Sequence, residues 1–387
     1  MRRRRVVLLT AATLLACAAA PASAVPATSG TAPRPPLAAA LRTATAQAVT
    51  DGYPAAIAYA RQGDDRATAA AGRADVATGR PADAGDRFRI ASNTKSFVAT
   101  VLLQLVAERR LGLDDSVEKW LPGVVSGSGN DGRRVTVRQL LNQTSGIDDP
   151  TTDPAFFAPY LQRHDMGYVY TPRQVVAEAM AHPPLFAPGT RWSYSNTNYL
   201  LAGLVIEAVT GRSAGQEITD RILRPLGLTH TTLPLTDPQI HGPHLHGYDL
   251  SHRDVTVFSP SYDWTAGAMI STLGDLAAFD HALFAGRLLP PAEQRALETV
   301  PDVPGNDGYA LGVTRGAVDC GDGREAPVWE TDGGGPGFTS LSLTSADADR
   351  QLILVGTVFD LGQDLLHQPP VPRSSAFGPV QTAVFCS

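Results

Sequence analysis

The sequence predicts an α/β (α+β) fold of two lobes, in which an antiparallel sheet flanked by helices carries an inserted, mostly helical lobe. Three observations predict it. Strand-like runs sit near both ends of the chain: "AAIAYARQG" and "ATAAAGRADVAT" early, then "YALGVTRGAV", "APVWETDG", "FTSLSLTSADA" and "RQLILVGTVF" late. Between them, residues 113–265 are mostly helical patterns joined by Pro- and Gly-rich loops. The length of 387 residues and the 43% apolar content suit a globular core divided between two lobes. The α/β lobe is therefore assigned to 37–112 and 266–387, and the helical lobe to 113–265.

Taken in order, the chain opens with "MRRRRVVLLTAATLLACAAAPASA". Four arginines, a short apolar run and small residues at 22–24 are the layout of a signal peptide over 1–24. The run is too short to span a membrane comfortably. "LLAC", ending at Cys17, also resembles a lipoprotein signal, so a lipid anchor stays open, as does a twin-arginine export route. Residues 25–36, "VPATSGTAPRPP", read as a disordered leader. "LAAALRTATAQAVTDG" is helical and stops at a glycine. "TKSFVATVLLQLVAERRLG" is a strong helix, with Phe97, Val98, Val101, Leu102, Leu105 and Val106 at helical spacing and Gly112 closing it. "YLLAGLVIEAVTG" is the clearest helix of the middle region, and after "DLAAFDHALFAG" the pattern becomes an antiparallel meander.

Charge and cysteines bound the function. The net charge is −6, and excision of Arg2 to Arg5 would make it more negative by four. An acidic exported chain is not an evident partner for nucleic acid or anionic membranes. Of three cysteines, Cys17 leaves with the signal. Cys320 and Cys386 then remain in an oxidising compartment and are expected to form one disulfide.

"RIASNTKSF" (89–97) carries the first candidate chemistry. The chain has 32 basic residues, but only Lys95 and Lys119 are lysines. Lys95 sits in the opening turn of a helix, the wrong end of the macrodipole for a cation. Arginine effectively cannot lose its proton, whereas a lysine buried near other positive potential can. Residues three apart share a helix face, so Lys95 can reach the hydroxyl of Ser92, and the same helix start aims N–H groups at charge developing there. The alternative is that Ser92 only caps the helix and Lys95 only faces water.

Two further boxes follow. "RWSYSNTNYLLAGLVIE" places Tyr194 and Asn196 two apart before a helix, and "VWETDGGGPGFTS" runs a strand into a glycine-rich turn. In that order, the three boxes resemble the penicillin-recognising serine hydrolases, which include class C β-lactamases, related esterases and secreted D-alanyl-D-alanine carboxypeptidases. "LGLDDSVEKWLPG", "VTVRQLLNQTSGI", "FAPGTRWSYSNTNY" and "AGAMISTLGDLAAF" extend the likeness over about residues 37–386. The resemblance implies a secreted enzyme working through an acyl-serine, with carboxypeptidase-like activity first and esterase or β-lactamase activity second. It implies Ser92 as nucleophile, Lys95 as its base, Tyr194 as proton carrier and Asn196 as a substrate-amide contact. The N–H groups of Ser92 and Gly334 would form an oxyanion hole, with Thr331 and Gly333 completing the substrate edge. The substrate would be a small peptide, ester or β-lactam, and no cofactor or metal is implied.

The third box departs from the pattern. Relatives open it with Lys or His, whereas here it reads Thr331-Asp332-Gly333. Arg315, on the preceding strand, is the candidate to replace the missing cation. Gln143 stands where His is common and is read as structural. The altered box also motivates a reading from a different class, a catalytically degenerate binding protein.

Other motifs are weaker. "GRSAG" (211–215) matches a nucleophile elbow, but a helix and not a strand precedes it. His241, His244 and His246 cluster without an H-E-x-x-H companion. "GGGPG" lacks the Lys-Ser/Thr ending of a phosphate loop. Trp192 and Trp264 are assigned to core packing.

Overall fold

The computed structural model describes residues 36–321 and 323–386; the expected signal peptide and all of the leader before Pro36 lie outside them. Alternating Ala, Ile and Tyr residues make β1 (Ala55–Gln62), which turns at Gly63 into β2 (Asp65–Asp75). A short β3 (Arg80–Pro81) lies beyond it. The four late runs become β8 (Thr314–Asp319), β9 (Glu325–Gly335), β10 (Phe338–Ser345) and β11 (Arg350–Gly356). Between these groups are only two-residue strands: β4 (Phe88–Arg89) pairs with β7 (Ile270–Ser271), and β5 (Ser126–Gly127) with β6 (Asn130–Asp131).

The two ends of the chain meet in one seven-stranded sheet of order β3-β2-β1-β11-β10-β9-β8, antiparallel throughout. The β1–β11 pairing, Ile57 opposite Val355, closes it across nearly the whole sequence. The mixed α/β architecture expected from the sequence is thus observed. One face is covered by the Leu37–Thr50 and Phe377–Phe385 helices, with Leu41, Leu352, Leu354, Val380 and Val384 buried between. The other carries the main core, in which the Thr94–Ala107, Asn196–Thr210 and Leu273–Phe284 helices bury Phe97, Leu102, Leu200, Val205 and Phe279. No strand of this sheet falls between residues 81 and 314. We propose from that gap the inserted helical lobe at 113–265; the described residues fall in one compact unit.

Two local expectations are corrected. The helix after the first box ends at Ala107, not at Gly112, because Arg109 takes φ +58° and breaks the run. Ser92 caps nothing: it lies in a 3₁₀ turn, Ala91–Asn93, ahead of the helix, and Asn93 occupies the cap position. The disulfide is present, joining Cys320 at the end of β8 to Cys386 after the last helix, with Cα atoms 5.3 Å apart.

Candidate active site

The turn that carries Ser92 is held from both sides. Ala91, just before Ser92, is forced to φ +45°, a strained conformation for a residue with a Cβ. Buried Asn93 offsets that strain: its Nδ2 donates to the Ile90 carbonyl (2.7 Å) and to Ser340 Oγ (2.9 Å), and its Oδ1 accepts from Thr331 Oγ1 (2.7 Å). The turn is thereby tied to β9 and β10. Gly333 lets the strand come that close. A Cβ there would sit 2.2 Å from the Ile90 carbonyl oxygen and 2.8 Å from Asn93 Nδ2. At Gly334 it would lie 2.3 Å from the Phe359 ring.

Lys95 is buried, 2% exposed, and its Nζ has three acceptors: Ser92 Oγ (2.9 Å), Asn196 Oδ1 (2.8 Å) and the Ala266 carbonyl (2.8 Å). Three acceptors match the three N–H bonds of an ammonium. When one proton leaves, Asn196 and Ala266 can accept only N–H, so both remaining hydrogens stay with them. The lone pair then points at Ser92. Burial pulls this amine down to about 8, while the carboxylates of Asp263, Asp149 and Asp332 act to raise it. The depression is therefore a desolvation effect that outweighs three negative neighbours, not the effect of nearby positive charge that the sequence reading invoked.

Tyr194 OH donates to Ser92 Oγ at 2.7 Å, and its ring lies 4.7 Å from Lys95 Nζ. Burial holds its phenol well above the ordinary range, with Tyr309 nearby adding to the shift. At neutral pH it is a neutral O–H donor. Ser92 Oγ thus lies within hydrogen-bond reach of both a base and an acid, the arrangement a serine nucleophile needs.

The Tyr194 box is braced by groups that sequence reasoning did not weigh. Asp149 caps the short turn at Pro150–Thr152, and its Oδ2 accepts from the Asn196 backbone N–H (2.8 Å). Thr151 Oγ1 accepts from Asn196 Nδ2 (3.0 Å). The Asn196 side chain is therefore spoken for at both ends, orienting Lys95 through its oxygen. Gln143, at φ +64°, accepts through Oε1 from Ser195 N–H (3.0 Å) and Asn198 Nδ2 (2.6 Å), the structural role expected of it. "GIDDP" carried the available signal for Asp149, since Asp before Pro favours a side-chain-stabilised turn. Asp263 left no local signal: it is buried, and its carboxyl is pushed up to about 6 by burial.

These groups open onto a cleft of about 470 Å³ lined by Ser92, Asp149, Tyr194, Asn196, Asp332, Gly333, Gly334 and Thr339, together with Asp364, Leu365 and His367. Two expected contacts are not part of it. Thr331 is buried, and its hydroxyl is given to Asn93, so it positions the turn instead of touching ligand. Arg315 is exposed on the outer strand β8, opposite Trp329, and does not line the cleft. The pleat explains the first, because Thr331 and Gly333 face inward while Asp332 and Gly334 face out, and Arg315 lies one strand further out. Trp264 packs in the core. Ser213 caps the Ala214–Ile218 helix through Gln216, so "GRSAG" is a helix start. His241 and His246 bond to Asp237 and Asp254.

The Beta-lactamase family profile matches residues 41–364. The chain belongs to the Beta-lactamase family. It is a serine hydrolase-type fold of that superfamily, shared with amidases and penicillin-binding proteins. A D-stereospecific amidohydrolase from Streptomyces sp. superposes with a TM-score of 0.78 at 42% identity, over 90% of this chain and 98% of that one. A D-amino acid amidase from Ochrobactrum anthropi SV3 superposes at 0.71 with 25% identity, over 83% and 92%. Penicillin-binding protein 4* of Bacillus subtilis is 26% identical over 299 residues, 73% of this chain and 63% of that protein. Protein flp of Staphylococcus aureus strain MW2 is 34% identical over 194 residues, 49% of this chain; the match spans only 37% of that protein's length.

Proposed function

We propose that this Beta-lactamase-family protein is an exported acyl-serine amidohydrolase that cleaves small D-aminoacyl amides and peptides. The observation that carries the reading is the meeting of Lys95 Nζ and Tyr194 OH on Ser92 Oγ. Neutral Lys95 takes the Ser92 proton as Oγ bonds to the substrate carbonyl carbon. The carbonyl oxygen becomes an oxyanion at the N–H groups of Ser92 and Gly334. Beyond Glu330, β9 has no β8 partner, which leaves that edge open to a substrate backbone. Tyr194 gives its proton to the leaving nitrogen as the C–N bond breaks, and the proton held on Lys95 restores the phenol. Water then attacks the acyl-serine as neutral Lys95 takes its proton, Tyr194 gives its proton to Ser92 Oγ as that oxygen leaves, and the proton on Lys95 restores the phenol.

The likeness to the Streptomyces amidohydrolase over nearly all of both chains favours D-aminoacyl substrates over the carboxypeptidase reading. A carboxypeptidase needs a cation for the terminal carboxylate, and among the described residues neither Lys nor Arg lines the cleft. The disulfide and the absence, among the described residues, of any helix long and apolar enough to cross a membrane are compatible with export. The test is intact-mass labelling by a fluorophosphonate beside a panel of D-aminoacyl amides, D-Ala-D-Ala peptides, esters and β-lactams. Adduct and turnover that vanish in Ser92→Ala are expected. A wild-type protein acylated by nothing in the panel would sink the proposal in favour of a binding protein.

A further inference from the structure

The third box replaces a cation with an acid, and the structure gives that acid a definite place. Asp332 lies on β9 opposite Leu341, one residue before the glycine that brings the strand against the nucleophile turn. It faces outward on the same side as Gly334, on the edge that β8 leaves unpaired, and it lines the cleft with Ser92 and Tyr194. Apart from its own N–H, its carboxylate has no hydrogen-bond or ion-pair partner among the described residues. Asp149, another acid lining the cleft, is consumed by Thr151 and the Asn196 N–H. Asp364, a third acid lining the cleft, is exposed, as is His367. Lys95 feels the Asp332 charge, but its three N–H bonds go elsewhere.

A carboxylate left without a partner at the mouth of a catalytic cleft repels carboxylates and attracts cations. A substrate backbone laid along the open edge of β9 would bring the group next to its reacting carbonyl close to this residue. We infer that Asp332 is a specificity-determining residue that accepts a hydrogen bond from a free, protonated amine on the acyl part of the substrate, so that the cleft prefers aminoacyl amides to their N-acylated or carboxylate-bearing counterparts. The inference rests on the acyl-serine reading above and adds to it the chemistry at the α-position.

The experiment compares D-phenylalanine p-nitroanilide with its N-acetyl derivative in wild type, Asp332→Asn and Asp364→Asn, at pH 7. Wild type should favour the free amine at least tenfold in kcat/KM. Asp332→Asn should bring the ratio close to one, and Asp364→Asn should keep most of the preference. Removal of the Asp332 charge also changes the Lys95 amine, but this acts on both substrates alike and cancels in the ratio. Fluorophosphonate labelling of Ser92 in each variant reports whether the site is assembled. Should Asp332→Asn not fold, wild type alone decides: its preference must fall as pH rises through the titration of the substrate amine. Acylation without an amine preference, or a preference that survives in labelled Asp332→Asn, overturns this inference alone. No acylation by either substrate together with no fluorophosphonate label on Ser92 overturns the acyl-serine reading as well.

Discussion

Gly333→Ala probes the contact on which the whole site depends. The added methyl would meet the Ile90 carbonyl oxygen at 2.2 Å, against ordinary contact beginning near 3.4 Å. The neighbour is backbone, and Ile90 immediately precedes the strained Ala91–Asn93 turn, so no side chain can swing aside to make room. The strand and the turn must therefore separate by about 1 Å. The displacement falls between Ser92 on one side and the Gly334 N–H on the other, and it strains the Asn93–Thr331 hydrogen bond. A misplacement of about 1 Å in a catalytic constellation costs on the order of 10²-fold in rate. Overpacking also costs roughly 1–3 kcal/mol of stability. The assay is kcat/KM on a chromogenic ester or amide, read beside a urea melt. Both should fall, the rate more steeply than the unfolding midpoint implies. A variant with wild-type turnover would refute the argument, because the strand would then not be pressed against the turn. Loss of stability with rate intact would mean that β9 contributes packing but no oxyanion donor.

Three more expectations follow from the same structure. With Lys95 near 8, about a tenth of the amine is neutral at pH 7 and about nine tenths at pH 9, so kcat/KM should rise with pH across that window. Lys95→Arg, which keeps the charge and loses the base, should cost on the order of 10²–10⁴ in rate, and a flat pH profile or an active Arg variant would contradict the neutral-amine role. Asp280, buried with one oxygen bonded to Ser342 Oγ and the other unpartnered, has its carboxyl raised by burial to about 7. A raised folded-state value means that the folded protein holds this proton more tightly than the unfolded chain, so stability is lost as pH climbs from about 4 through 7. Asp280→Asn should then stabilise the protein by on the order of 2–4 kcal/mol at pH 8 and little at pH 4, with equal melting curves at pH 8 as the contrary result. The Cys320–Cys386 bridge closes 66 residues, for which chain entropy gives about 4 kcal/mol; Cys386→Ser should lower the urea midpoint, and an unchanged midpoint would show that the last helix stays docked without it.

Much of the scaffold was legible because its signals are local. Strand-like runs separated by turn residues marked the long strands, helical spacing found the Thr94–Ala107 helix, and the run ending at Gly211 covered most of the Asn196–Thr210 helix. The spacing of Ser92 and Lys95 survived although the local conformation was misread, because a 3₁₀ turn leading into an α-helix still leaves the two side chains 2.9 Å apart. The errors lie where the answer depends on a partner distant in sequence. Thr331 was expected at the substrate and faces Asn93, 238 residues away; one step of pleat decides which side it takes. Arg315 failed for a similar reason, since its strand lies outside β9 and pairs no further than Glu330. Asp149 and Asp263 were missed because a carboxylate's field acts through space, and nothing in its neighbours along the chain tells that a lysine will be buried beside it.

Those two carboxylates bear on why the chain keeps a lysine here. An arginine at 95 would stay charged, so the acidic surroundings alone do not exclude it. Burial alone would push a lysine lower than about 8, and the three nearby acids hold it up. The balance leaves an amine that is mostly protonated at rest, which matches its three acceptors, yet within one pH unit of releasing the proton. An amine depressed much further would be a weak base toward a serine hydroxyl, and one left near its ordinary value would seldom be neutral. In the proposed mechanism the acids thus set the strength of the base as well as the charge of the cleft. Asp332 belongs to both functions, so a change there that altered substrate preference without moving the pH profile would separate them.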